Sequence, residues 1–93
     1  MIKSFKSGET KKIWDGEISL KFPIEIQKIV RRKLRMINNS SSLFDLRLPP
    51  SNHLEALKGN RKGQYSIRIN DKWRICFKWM NGDCHDLEIV DYH

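Results

Sequence analysis

The sequence lacks several features that would assign it to a familiar class. Its 93 residues contain no apolar run long enough to cross a bilayer, and the N-terminal MIKSFKSGET has no apolar stretch of signal-peptide length. There is no Walker loop, no GxGxxG motif and no internal repeat. The lack of a long apolar run argues against a membrane-spanning protein, and we expect a soluble, cytoplasmic chain.

Cysteine is scarce, which limits metal and disulfide chemistry. Cys76 and Cys84 are the two cysteines, and no further Cys or His stands at the spacing of a zinc site. We therefore expect two free thiols, no metal and no cofactor. Three Trp and four Phe, with many Ile and Leu, suffice for one modest core, so residues 1–93 are interpreted as a single domain.

Acidic residues are outnumbered, 11 against 18 Lys and Arg, giving a net charge of +7. Such a balance favours a polyanionic partner: nucleic acid, an acidic protein or, less favoured, an anionic membrane. The positive charge is densest from Lys58 to Lys78, where seven basic residues accompany one acidic residue, Asp71.

The same segment predicts a β-hairpin, because apolar residues alternate with polar ones in two runs. The two apolar sets share a face only if three pairs oppose each other: Ile69 and Trp73, Ile67 and Ile75, Tyr65 and Phe77. This register needs a three-residue loop at residues 70–72, with Asn or Asp in the left-handed region.

The predicted register places Arg68 opposite Arg74. Two opposed guanidinium groups repel, whereas an anion between them would be bound by two planar donors, so they are a candidate phosphate site. The alternative is a solvated basic face whose two arginines point apart, or one in which Asp71 or Glu55 relieves their repulsion.

Around the hairpin, spacing predicts two helices and two further strands. Residues 1–5 are an expected edge strand, and Gly8–Trp14 an expected helix that Gly16 ends. A second helix starts at Pro23, carries an apolar stripe and stops at Asn38-Asn39. A turn at Asn81-Gly82 leads to a last strand from Cys84 to Val90. Between the second helix and the hairpin lies a loop with one helical turn near residues 43–46. The charged loop 59–63 follows, and we expect it on the binding face because its two glycines allow the backbone to come close to a partner.

The predicted fold class is therefore α+β: an N-terminal strand, two helices and an antiparallel meander, with the helices on one face and a basic face opposite. The second helix also carries a basic set: Lys28, Arg31, Arg32, Lys33 and Arg35. That set would suit RNA or an acidic antagonist, but a solvated helix face is the favoured interpretation.

The chain ends in Asp91, Tyr92 and His93, a carboxylate, a phenol and an imidazole. The meander brings this strand beside that of Arg74, which would join acid–base groups to a basic floor. RNA supplies its own nucleophile, the 2′-hydroxyl. Such a site then needs only a base, cations for the pentavalent phosphorane and an acid for the leaving oxygen. A terminal His with no catalytic role is the alternative.

Three blocks, MIKSF, LEALKGNRKGQYSIRINDKWRICF and IVDYH, closely resemble HigB toxins of the RelE/ParE superfamily, which belong to bacterial type II toxin–antitoxin systems. The resemblance covers nearly the whole chain. It implies a RelE/ParE-like α/β fold and a metal-free mRNA endonuclease that cuts messages in the ribosomal A site. It also implies a HigA-like helix-turn-helix antitoxin, and contact with operator DNA only through the antitoxin complex.

The resemblance also assigns residues. The family's terminal Asp-Tyr-His matches Asp91, Tyr92 and His93, its strand arginine matches Arg74, and the lysine of its L-K-G block matches Lys58. Where well-studied members have a catalytic histidine, this chain has Glu55. Glu55 is interpreted as the general base, although the alternative is that it only neutralises a nearby cation. His53, two residues earlier, cannot be assumed to replace the histidine.

The leading hypothesis is thus a ribosome-dependent mRNA interferase. Its predicted catalytic set is Glu55, Lys58, Arg74, Asp91, Tyr92 and His93, and its predicted RNA-phosphate-binding set is Arg61, Lys62, Arg68 and Lys78. The expected partners are the antitoxin, the 70S ribosome and mRNA. Two alternatives stay open: a ParE-like inhibitor that binds DNA gyrase, and an RNA-binding module without chemistry.

Overall fold

A four-stranded antiparallel sheet packs against two helices. In the computed structural model, which describes residues 1–91, the helices are α1 (Gly8–Trp14) and α2 (Ile24–Asn39). The strands are β1 (Glu55–Ala56), β2 (Gln64–Arg68), β3 (Trp73–Met80) and β4 (Asp83–Asp91), in the order β1-β2-β3-β4 across the sheet. The α+β class is therefore confirmed.

The β2–β3 hairpin has the register that the alternation predicts. Tyr65 opposes Phe77, Ile67 opposes Ile75, and the Ile69 N–H donates to the Trp73 carbonyl at 2.9 Å. The predicted left-handed residue in the loop is wrong, because no residue at 70–72 has a positive φ. The Asn70 side chain closes the turn instead, since its Oδ1 accepts the Lys72 and Trp73 N–H groups, each at 2.9 Å.

The core lies between the helices and the apolar face of this sheet. The apolar stripe of α2 is buried there together with Ile13 of α1, and this stripe consists of Ile26, Val30, Leu34 and Ile37. The three longer strands contribute Ile67, Ile75, Phe77, Leu87 and Ile89. Each of these side chains leaves water, which stabilises the fold by roughly 1.5–3 kcal/mol per fully buried aliphatic side chain.

Local signals set the helix ends as predicted. The Ser7 side chain accepts the Thr10 N–H, and Gly16, with φ of 88°, follows the last turn of α1 in the left-handed region that favours glycine. Pro23 precedes α2 as its N-cap, and α2 ends at Asn39. The turn expected near residues 43–46 is a 3-10 helix over Leu43–Arg47.

The N-terminal segment differs from the expected strand. It makes two isolated parallel bridges to β4, Ile2 to Cys84 and Phe5 to Leu87. Between them Asp86 has a φ of 53°, and β4 is also bulged where it pairs with residues 76–78 of β3. The bulge interrupts the edge, so a continuous fifth strand does not form.

The face opposite the helices was predicted to be basic, and the structure shows that the centre of this face is not exposed to solvent. Ser66, Arg74 and Cys76 are buried there. β1 was also not predicted as a strand; it exists because Glu55 and Ala56 pair with Ser66 and Tyr65 at the edge of β2. In the described part of the chain, no helix is long and apolar enough to cross a membrane.

Candidate active site

Arg74 is the best anchored of the predicted site residues. It lies on β3 with only 6% of its surface exposed. Its Nε donates to Ser66 Oγ at 2.8 Å, and one terminal nitrogen donates to the carbonyl of His53 at 2.5 Å. These contacts hold the plane of the guanidinium, which is what a bidentate contact to an anion requires.

Arg68 opposes Arg74 across the hairpin, as the register predicts. Its guanidinium makes a short ion pair with Asp71, whose side chain is 98% exposed. This is the relief by Asp71 that the sequence offered as an alternative to a phosphate site. An ion pair so exposed contributes little stability, about 1 kcal/mol or less. Exchange of Asp71 for a phosphate therefore costs little.

Glu55 lies on the same sheet face as Ser66, because the two residues are direct partners between β1 and β2. Its side chain is exposed. Among residues 1–91, no hydrogen bond or ion pair engages its carboxylate. The predicted base is thus beside the strand that anchors Arg74.

His53 precedes β1 in a left-handed backbone conformation with φ of 43°. Its carbonyl is the group that reaches Arg74. His53 therefore contributes a backbone oxygen to this site, and a side-chain motif in the sequence cannot predict such a role.

The charged loop between β1 and β2 presents Lys58 and Lys62, both exposed. Gly59 and Gly63 have φ values of 63° and 92°, so each uses the backbone freedom of glycine to shape this loop. Arg61 is not free to reach RNA in the same way. It donates to Gln64 at 3.1 Å and to Glu88 at 3.2 Å, and Lys6 pairs with Glu88 from the other side.

The remaining predicted residues are more scattered. Lys78 lies toward the opposite end of β3 from Arg74, and its Nζ lies 3.3 Å from the carboxylate of Asp86. Asp91 opposes Trp73 on the face that carries the core, and its carboxylate lies 3.7 Å from Lys72. The register therefore separates Asp91 from Arg74 by the thickness of the sheet. Tyr92 and His93 fall outside the described residues.

Sequence reasoning missed three groups around Arg74: the Ser66 hydroxyl, the His53 carbonyl and the buried pair Lys33–Asn52. The alternation of side chains along β2 could have predicted the Ser66 contact, because Ser66 lies on the same sheet face as Arg68 and Arg74. Lys33 was grouped with the solvated residues of α2, yet it is buried and its Nζ lies 2.6 Å from Asn52 Oδ1. Burial, more than the nearby Arg32 and Arg68, lowers the pKa of Lys33.

The cysteines match expectation. Both are free and buried, and they lie on opposite faces of β3 and β4. Burial raises the pKa of Cys84 to about 12 and raises that of Cys76 as well. Among the described residues, no group of His, Cys, Asp and Glu could hold a metal ion.

The outer side of α2 carries a groove of about 300 Å³ lined by Ile29 and by four cations, Lys28, Arg31, Arg32 and Arg35. Arg31 is partly engaged within the fold, since its Nε donates to the Ile13 carbonyl at 3.0 Å. This contact adds a side-chain donor to a carbonyl that already accepts the Gly16 N–H at the end of α1. The groove is separate from the face of Arg74.

Three proteins are similar to this chain in sequence. Endoribonuclease HigB of Proteus vulgaris is 32% identical over 93 residues, the full length of both chains. Toxin HigB-1 of Vibrio cholerae is 42% identical over 60 residues, 64% of this chain and 63% of that protein. An uncharacterized protein of Haemophilus influenzae is 40% identical over 72 residues, 77% and 71% of the two chains.

Solved structures agree in fold. YafQ from Escherichia coli superimposes with a TM-score of 0.59 at 19% identity, covering 98% of this chain and 91% of that one. The Staphylococcus aureus YoeB–YefM complex contains a chain with a TM-score of 0.58 at 18% identity, covering 100% and 98%. The sequence profile of HigB-like toxins, described as RelE-like toxins of the type II toxin–antitoxin system HigB, matches residues 3–93. The chain therefore belongs to the HigB-like family of type II toxins.

Proposed function

We propose that this toxin is an endoribonuclease that cleaves mRNA on the ribosome and thereby stops translation. The observation that carries the proposal is the anchored Arg74 on one sheet face with Glu55 at its edge. The full-length relative from Proteus vulgaris, named an endoribonuclease, supports the same reaction. Action on ribosomes implies that the toxin works in the cytoplasm.

In the proposed reaction, Glu55 accepts the proton of the RNA 2′-hydroxyl. The 2′-oxygen then attacks the adjacent phosphorus, and the bond from phosphorus to the 5′-oxygen breaks. His93 donates a proton to that leaving oxygen, so the products carry a 2′,3′-cyclic phosphate and a 5′-hydroxyl. Water is not consumed in this step.

Cations stabilise the charge that grows on the phosphorane. Arg74 is the fixed donor, because Ser66 and His53 already hold its orientation. Lys58, from the exposed loop, and Arg68, once released from Asp71, add mobile positive charge. The exposed Lys62 extends the basic surface along which the message lies, and Arg61 and Lys78 extend it further once they are released from Glu88 and Asp86. Tyr92 stacks on a nucleotide and orients it.

Asp91 is left out of this acid–base set. It belongs to the predicted catalytic set, but its carboxylate pairs with Lys72 on the face of the sheet opposite Arg74. Its proposed role is to hold the last strand against the loop at residues 70–72.

Membership in a type II system gives the toxin an antitoxin partner. We propose a HigA-like helix-turn-helix antitoxin, with operator DNA bound only through the toxin–antitoxin complex. The basic surface suits both an acidic antitoxin segment and the ribosome, because each presents negative charge.

Induced expression in bacteria tests the proposal against its rivals. We expect growth arrest with new 5′ ends inside translated messages, and loss of both in His93→Ala at equal protein level. His85→Ala is the matched control, since it removes the same side chain from the far end of β4. DNA breaks that depend on gyrase, with intact RNA, would instead establish inhibition of gyrase by binding. Ribosome binding with intact RNA would establish a module without chemistry.

A further inference from the structure

Lys33 is a buried cation without a carboxylate partner among the described residues. It is 5% exposed, and its Nζ donates to Asn52 Oδ1 at 2.6 Å. A buried charge that only a neutral amide solvates is unfavourable for folding. Two further cations, Arg32 and Arg68, oppose it, which fold stability alone does not favour.

Asn52 transmits the position of Lys33 to the segment before β1. It is fully buried, and its Nδ2 donates to the carbonyls of Leu46 and Leu48 at 3.2 and 3.3 Å. With Oδ1 taken by Lys33, both ends of the amide are satisfied. The backbone of Asn52 therefore has one orientation relative to α2.

The next residue, His53, has the left-handed conformation, which residues other than glycine adopt uncommonly. Its N–H donates to the Pro50 carbonyl at 3.0 Å. Its own carbonyl accepts from Arg74. Hydrogen bonds at the two ends of the Asn52–His53 segment thus link α2 to the guanidinium on β3, and the covalent backbone of these two residues lies between them.

We propose that Lys33 is a positioning residue for Arg74, acting through Asn52 and the carbonyl of His53. The inference deepens the proposed function, on which it rests, because it names what aligns the arginine with the scissile phosphate. Lys33 does not touch RNA in this account. Its buried charge also lies close enough to Arg68 for the two cations to repel each other.

The test compares Lys33→Met with Lys28→Met, which removes the same charge from an exposed position of the same helix. In the first variant we expect hydrogen exchange at Arg74 Nε, followed by NMR, to accelerate by about tenfold, and the second to match wild type. Equal exchange in both variants and wild type would overturn the proposal. This readout needs no RNA, so it is decisive even if the chain does not cleave message.

Cleavage on programmed ribosomes supplies the second readout. Lys33→Met should lower kcat by about tenfold with KM nearly unchanged, and in an Arg74→Lys background it should add little, because the two residues act through one path. Equal losses in both backgrounds would show a merely structural role and contradict the proposal. Absence of cleavage by the wild-type toxin would count against the proposed function. The hydrogen-exchange rate at Arg74 Nε would then decide whether Lys33 positions Arg74.

Should Lys33→Met fail to fold, Lys33→Gln replaces it, because glutamine is a shorter, neutral donor. We expect an intermediate exchange rate at Arg74 Nε. Wild-type exchange together with wild-type kcat in Lys33→Gln would overturn the proposal.

Discussion

Arg68 and Arg74 occupy directly opposed positions on β2 and β3, yet their guanidinium groups have different partners. Arg68 pairs with the exposed Asp71, whereas Arg74 donates to Ser66 and to the His53 carbonyl. The like-charge opposition is thus resolved by one mobile cation and one fixed cation. We therefore expect substitutions that affect Arg74 and substitutions that affect Arg68 to have different effects on stability and on RNA binding.

Replacement of Arg74 by Lys keeps the charge but removes the planar fork. We expect Ser66 and His53 to lose their donors, at a cost of about 1–3 kcal/mol in the free energy of unfolding. Cleavage should fall by roughly 10²-fold or more, because a fixed donor to the transition state is lost. Urea unfolding and a cleavage assay measure the two effects. Arg35→Lys on α2 is the control, and full activity in Arg74→Lys would remove this residue from the site.

Replacement of Asp71 by Asn frees Arg68 from its partner. Since the pair is exposed, stability should change by about 1 kcal/mol or less. Ribosome affinity should rise, and the slope of log affinity against log salt should steepen by roughly 0.7–0.9, the contribution of one additional phosphate contact. Asp15→Asn, which breaks another exposed pair far from the hairpin, is the control. An unchanged salt slope would indicate that Arg68 contacts no phosphate.

Replacement of Glu55 by Gln removes the proposed base while preserving shape and the β1 pairing. Loss of a general base lowers the rate by about 10²–10⁴-fold. We expect kcat to fall to that extent with no change in thermal unfolding, as the carboxylate has no partner among residues 1–91. Glu25→Gln on α2 controls for charge. If Glu55→Gln retained wild-type kcat, Glu55 would have only the neutralising role.

The thiols should be inert in the folded protein. Burial holds the pKa of Cys84 at about 12, so almost no thiolate is present at pH 8. We expect a disulfide reagent to label both cysteines only after denaturation. Because the folded-state pKa exceeds the ordinary value of 9.0, unfolding releases protons above pH 9, and the free energy of unfolding should fall between pH 9 and about 12. Rapid labelling of native protein would contradict the burial of this thiol.

Local patterns were enough to predict the elements whose partners are close in sequence. Side-chain parity alone set the register of Tyr65 against Phe77, because a slip by one residue would expose every apolar side chain of the hairpin. The turn was harder, since Asn70 closes it with its side chain rather than by a left-handed backbone. β1 could not be predicted from the sequence, because a strand of two residues is too short to show an alternating pattern.

The surroundings of Arg74 depend on contacts between distant segments, which no spacing rule predicts. The His53 carbonyl reaches the arginine only because residues 49–53 turn back toward β2, and Lys33 is buried only because Asn52 lies over α2. Glu55 could be singled out from the sequence because it stands in a recognisable block. Its position beside Ser66 required the sheet.

The most direct test of the central claim uses purified toxin with programmed ribosomes and with free mRNA, followed by mapping of the 5′ ends of the products. We predict cuts in ribosome-bound message by wild type and by His85→Ala, none by His93→Ala, and none in free mRNA. No cuts by wild-type toxin on programmed ribosomes, at a concentration that arrests translation, would contradict the account.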